Sequence, residues 1–204
     1  MPRLMYDSTD PFAIPADAQM VAGYVDGLYA WPYNGWARFA SARQVRIAAV
    51  SLDLSAHVLD IESGAMSPAQ GAEFVRLKRA RGEHPSLYFS ESRLGEIQAA
   101  LVAAGLDPYH SYSAWVALWD GRNEQWDGAV AHQFADPLSS GGHWDLSWVA
   151  DYWEGVDGLP SASPTSGPGV SIENWAGLVL TVEADIPGFG AELGVLASGL
   201  KSLG

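Results

Sequence analysis

Eight short runs rich in apolar and β-forming residues punctuate the first 150 residues of the chain. They are Leu4–Ser8, Met20–Asp26, Val45–Ser51, His57–Glu62, Ser86–Ser90, Trp115–Trp119, Ala129–Ala135 and Trp144–Ala150. Several are apolar without strict alternation, the pattern of strands buried on both faces beneath covering helices. Two helices are marked between them. Ser67-Pro68-Ala69-Gln70 offers a capping hydroxyl, a proline at the first helical position and a glutamine placed to reach back. The cationic last turn of that helix (Arg76, Lys78, Arg79, Arg81) suits the helix dipole, and Gly82 is a natural stop. The second runs from about Arg93 to Ala104, with Leu94, Ile97, Leu101 and Ala104 as its apolar stripe and Gly105 as its end. A third, short helix is expected over Gly35–Ala42. From about residue 112 strands follow one another with no room for long helices.

Strand alternating with helix points to a parallel sheet or barrel. A full (β/α)8 barrel takes roughly 250 residues, more than this segment provides. The expected class is therefore α/β: a trimmed TIM-like barrel whose late strands lack helices, with a short C-terminal tail. The barrel is assigned to residues 1–154. GVDGLPSASPTSGPGV (155–170) reads as a Gly/Pro/Ser linker. Residues 171–204 form an apolar segment in which Leu193, Leu196, Leu200 and Leu203 stripe a short helix. That stripe can dock on its own barrel, or support self-association or tethering in a larger assembly.

Composition narrows the function classes. The 204 residues carry 24 Asp+Glu against 11 Lys+Arg, a formal net charge of −13. Phosphate backbones and anionic membrane surfaces need the opposite balance, so no nucleic-acid partner is expected. With no cysteine there is no disulfide framework, thiolate nucleophile or Cys-ligated zinc. No run approaches a membrane span, and the start MPRLMYDSTDPF has no apolar core of a secretory signal, so synthesis in the cytoplasm without a signal peptide is expected. Nine tryptophans are an unusual count, and aromatic faces stack on sugars as well as building cores.

The candidate chemistry lies in acids at strand ends. In Leu59-Asp60-Ile61-Glu62 a period of two puts both carboxylates on one face. Two acids sharing a face push one pKa up, giving a proton donor beside a retained anion, the requirement for glycoside cleavage. A solvated strand end or a structural ion pair would show the same short pattern. Asp7 ends the first run and Asp145 lies in the last. In a closed barrel these two strands are neighbours, so Asp7 and Asp145 would share a rim with Asp60 and Glu62.

These residues resemble the family 25 glycoside hydrolases, the Chalaropsis-type lysozymes, or a related group of glycoside-hydrolase-like barrels of actinobacteria and their phages. The likeness rests on Tyr6-Asp7-Ser8, Asp60-Ile61-Glu62, Trp115-Val116-Ala117-Leu118-Trp119, His132-Gln133-Phe134 and Trp144-Asp145-Leu146-Ser147. It covers about residues 4–150. The family's K-x-T-E-G stretch is replaced by Tyr24-Val25-Asp26-Gly27-Leu28-Tyr29-Ala30-Trp31, and its G-x-Y-H-F strand by Val45-Arg46-Ile47-Ala48-Ala49-Val50.

The resemblance implies a muramidase-like activity on peptidoglycan glycan strands. Glu62 would be the general acid, Asp60 would orient the reacting N-acetyl group, and Asp7 and Asp145 would tune the site. Trp31, Tyr33, Trp119 and Trp144 would stack on sugars and Gln133 would bind the acetamido group, with core packing the alternative for each. Such substrate-assisted cleavage calls for no metal and no cofactor. A phage or prophage endolysin acting at the cell wall, or a virion component, fits this picture. The alternative is a non-catalytic barrel serving as a structural or glycan-binding part of a phage tail. A His/Asp metal site from His132, Asp136, His143 and Asp145 is a weaker third reading, and His57 reads as a barrel-base histidine. Esterase, NTPase and Rossmann motifs are absent from the sequence.

Overall fold

Alternation along each strand sorts side chains into an inner and an outer shell, and a computed structural model of residues 2–158 shows where each shell packs. The tail (171–204) and most of the expected linker lie outside the described residues. The strands are β1 (Arg3–Asp7), β2 (Met20–Tyr24), β3 (Arg43–Ala48), β4 (Val58–Asp60), β5 (Ser86–Ser90), β6 (Ser113–Ala117), β7 (Ala131–Ala135) and β8 (Asp145–Val149). They close in sequence order into one barrel. The class is the trimmed TIM-like α/β barrel expected from the run pattern.

Strands β1 to β7 are mutually parallel, whereas β8 runs antiparallel to both β7 and β1. This reversal follows from the connection. Residues 136–144 hold only a one-turn helix, α4 (Pro137–Ser140), capped by Asp136. A parallel return needs a dozen or more residues, usually a full helix. The reversal leaves Asp145 at the same barrel end as Asp7, its direct register partner.

Met5, Met20, Val45, Ile47, Val58 and Trp115 fill the interior. Its N-terminal end is plugged by Trp153, whose indole N–H donates to Ser86 Oγ (2.8 Å) and whose ring meets Trp115 edge-on. Asp157 then pairs with Arg3 (2.8 Å) and Arg43 (3.1 Å), so barrel packing continues to Asp157, past the expected boundary at 154.

On one flank α2 (Pro68–Ala80) and α3 (Leu94–Ala103) bury Phe74, Val75, Ile97 and Leu101 against β3 to β6. The capping box at Ser67 and Gln70 forms as the sequence predicts. Helix α1 (Tyr33–Arg38) starts two residues before the expected Gly35, because the chain turns helical immediately after the extended Pro32. On that flank Trp31, Phe39, Ile14 and Val21 form the outer cluster. No helix among the described residues is long and apolar enough to cross a membrane.

Candidate active site

The C-terminal ends of the parallel strands carry the acids. Inward alternation brings Asp7 to the end of β1, Tyr24 to the end of β2 and Asp60 to the end of β4. Ile61 turns outward into the helix-covered core, so Glu62 returns to the mouth, where Ser90 Oγ donates to its Oε1 (2.7 Å). Asp145 joins Asp7 because β8 is reversed. All four sequence-predicted acids thus stand at one barrel end, the face on which such barrels place their sites.

Asp60 is buried. Its Oδ1 accepts the Glu62 backbone N–H (2.9 Å) and its Oδ2 accepts the Tyr24 hydroxyl (3.3 Å). Burial pushes its pKa up to about 6, reinforced by the Glu62 charge and opposed by the two hydrogen bonds and by Arg93. Asp7 and Asp145 form a second pair. Burial raises the Asp7 carboxyl well above the ordinary range, and the neighbouring Asp145 charge raises it further. Asp145 is pushed up to about 6, chiefly by burial, while its hydrogen bond with Asp7 opposes the rise. Each carboxyl of this pair thus favours its protonated form more than a solvent-exposed aspartate does. Glu62 contributes to the rise of both Asp7 and Asp145, so the two pairs sense each other across the mouth.

Gln133 links this pair to the aromatic wall. It is buried, donates from Nε2 to Asp7 (3.1 and 3.3 Å), and accepts on Oε1 from the Tyr88 hydroxyl and the Trp119 indole N–H (both 2.8 Å). With both ends of its amide engaged, Gln133 positions its neighbours rather than presenting a free amide to an acetamido group. Trp119 is half-exposed and alone among the described non-glycine residues has a positive φ, 50°. Its backbone N–H and that of Leu118 both bond the Gln133 carbonyl. The same glutamine therefore holds the strained loop and its ring.

The other proposed sugar platforms separate. Trp31 is 5% exposed, its indole N–H bound to the Ser8 carbonyl (2.8 Å) and its ring laid across Gly23. It is a core residue, because a glycine on the strand leaves room for an indole to lie flat. Trp144 packs edge-on to Tyr6 in the outer layer and over Gly142, away from the mouth, since the residue before inward Asp145 must point outward. Tyr33 stands exposed at the start of α1.

Tyr24, Tyr88 and Ser90 belong to the site although none was a sequence candidate. The available signal was their inward register, shared with Asp7 and Asp60, with Tyr24 and Ser90 at strand ends and Tyr88 one inward step below Ser90. Burial and the surrounding carboxylates push both tyrosine hydroxyls above their ordinary range, so they remain protonated donors.

His57 lies at the opposite barrel end, accepting the Arg46 backbone N–H on Nδ1 (3.0 Å). Burial and the nearby Lys78 push its pKa down to about 4. His132 is buried on the outer face of β7, with Nδ1 on the Glu124 carbonyl (2.9 Å), while Asp136 caps α4. Four residues of extended chain set the two about 13 Å apart, and no group of three or more His, Asp or Glu among the described residues could hold a metal.

No family model matches the chain, and no curated protein matches it. Two solved structures are similar. The spore cortex lytic enzyme SleM of Clostridium perfringens is 13% identical over 74% of this chain and 68% of its own, with a TM-score of 0.49. The Tat-secreted protein Rv2525c of Mycobacterium tuberculosis is 14% identical over 76% of this chain and 97% of its own, with a TM-score of 0.37. At this distance neither likeness assigns an activity, and the rim's own geometry has to carry one.

Proposed function

We propose that the protein is a glycoside hydrolase that cleaves peptidoglycan glycan strands. The observation that carries this reading is the convergence of two carboxyl pairs, Asp60/Glu62 and Asp7/Asp145, on one mouth with raised proton affinity in three members. Glu62 is the general acid. Ser90 holds its Oε1, which leaves Oε2 to face the leaving glycosidic oxygen and give it a proton. Asp60, fixed by Tyr24 and the Glu62 backbone, accepts the N–H of the substrate's acetamido group. The acetamido carbonyl oxygen then attacks the anomeric carbon as the glycosidic bond breaks. Water opens the resulting ring and returns a proton to Glu62. Asp7, oriented by Gln133, and its register partner Asp145 set the electrostatic potential beside the developing cation.

Action at a bacterial wall, as a phage-encoded lysin or as a virion component tethered through residues 171–204, belongs to the same proposal. A second reading, a glycan-binding barrel without turnover, is favoured by one observation: both oxygens of Asp60 and both ends of the Gln133 amide are already engaged within the protein.

Release of reducing ends from purified peptidoglycan separates the two. Wild type should release them, and Glu62→Gln should lower the rate by about 10²-fold or more, the usual contribution of a positioned general acid. Wild type that binds walls yet releases no reducing ends would remove the enzyme reading and leave the binding one.

A further inference from the structure

Exposed large apolar side chains occur on several faces of the described chain, Leu4, Val102, Tyr109 and Tyr152 among them, but half of them gather at one end. Phe12, Leu28, Tyr29, Val50, Trp119 and Leu138 all follow the C-terminal ends of the parallel strands, on the loops and short helix α4 around the acid mouth. Three of them, Leu28, Tyr29 and Val50, are gathered by one device. Asp26, two residues past Tyr24, turns its carboxylate onto the loop after β3. Its Oδ1 accepts the Ala49 N–H (2.8 Å), Val50 N–H reaches both oxygens (3.3 Å), and Ser51 Oγ donates to Oδ2 (2.7 Å). Gly27, with φ at +74°, lies directly against Val50, where an added Cβ would sit 3.1 Å from Cγ1. The turn then presents Leu28, 90% exposed, and Tyr29, 55% exposed, beside Val50, 61% exposed.

Strand order fixes where this patch lies. It caps β2 and β3, so Asp7 on β1 flanks it on one side and Asp60 on β4 on the other. In a closed ring of eight, β2 and β3 stand opposite β6 and β7, the strands that hold Trp119. The mouth therefore has acids at its centre and an apolar wall at each end. Asp26 is engaged by three donors, so its carboxylate is tied to the loop and the patch presents apolar surface, which matches the C–H faces of pyranose rings.

We propose that the Asp26 clasp and the residues it presents, Leu28, Tyr29 and Val50, form a second glycan subsite that holds the strand beyond the sugars at the acid pairs. The inference rests on the glycosidase reading and deepens it, because it makes the natural substrate a chain long enough to reach from Trp119 across the mouth to Leu28.

Two substrates and two variants test it. One substrate is a short chromogenic disaccharide of N-acetylated sugars; the other is soluble peptidoglycan strands stripped of peptides. Leu28→Ser/Tyr29→Ser, altering only exposed side chains, should raise KM for the long strands about tenfold with kcat kept, and leave the disaccharide untouched. Asp26→Ala, which frees the loop, should reproduce that split. Equal effects on both substrates, or on neither, would overturn the subsite; a patch serving a protein partner gives the second of these results. If wild type turns over neither substrate, the hydrolase reading fails separately, and calorimetric binding of the stripped strands decides the subsite. Wild-type binding that the double variant loses supports it; equal binding, or none by wild type, overturns it.

Discussion

At the residue scale the mouth stores a cost in its carboxyls, most clearly in Asp60. An unfolded aspartate titrates near 3.9, whereas burial puts folded Asp60 at about 6. Between those values the folded state binds more protons than the unfolded one, so stability falls as pH rises through this window and the penalty is complete above it. Two pKa units correspond to about 3 kcal/mol. Asp60→Asn keeps the shape without the charge, and should therefore unfold at higher denaturant at pH 8, by up to about 3 kcal/mol, with the gain vanishing near pH 4. A variant less stable than wild type at pH 8 would show that the carboxylate, not its burial, dominates. The four acids were legible because a period of two and a closing barrel suffice to bring strand ends together. The fate of Trp31 was not: a rim platform and a core indole look alike until the position of Gly23 under the ring is known.

At the element scale the run pattern located every strand, because apolar runs bounded by turn residues mark a buried strand whichever way it points. For that same reason it could not give direction, and the reversal of β8 is set by the length and content of 136–144. The start of α1 was displaced because an extended proline, rather than the glycine that follows, decides where the chain enters the helix. One of the closest element contacts is β2 against the Trp31 ring. A Cβ on Gly23 would collide with Cε2, Cδ2 and Cε3 of that ring. Gly23→Ala must push the indole off the strand and break its bond to the Ser8 carbonyl, a distortion worth about 1–3 kcal/mol in a packed core. Thermal melting should show a lower Tm and near-ultraviolet circular dichroism a changed tryptophan signal. An unchanged melt would mean that the outer cluster yields more easily than close packing implies.

At the scale of the whole molecule, charge sets how the barrel meets its proposed substrate. The chain carries a formal −13, and acids concentrate at the mouth itself. Asp10, Asp26 and Asp136 sit on the surrounding loops, each capping its own backbone or a neighbouring turn. A bacterial wall bearing anionic polymers would repel this face over a distance set by salt. The screening length shrinks from about 30 Å at 0.01 M to about 8 Å at 0.15 M, so the repulsion fades over that range while short contacts to the sugars persist. KM on intact, anionic walls should accordingly fall several-fold between those salt concentrations, while KM on a neutral oligomer of N-acetylglucosamine stays level. The contrast isolates long-range charge from chemistry, since Glu62, Asp60 and their partners act within hydrogen-bond distance and are little screened. A KM that rises with salt on intact walls would point instead to charge attraction holding the substrate, and would overturn repulsion as what governs the approach.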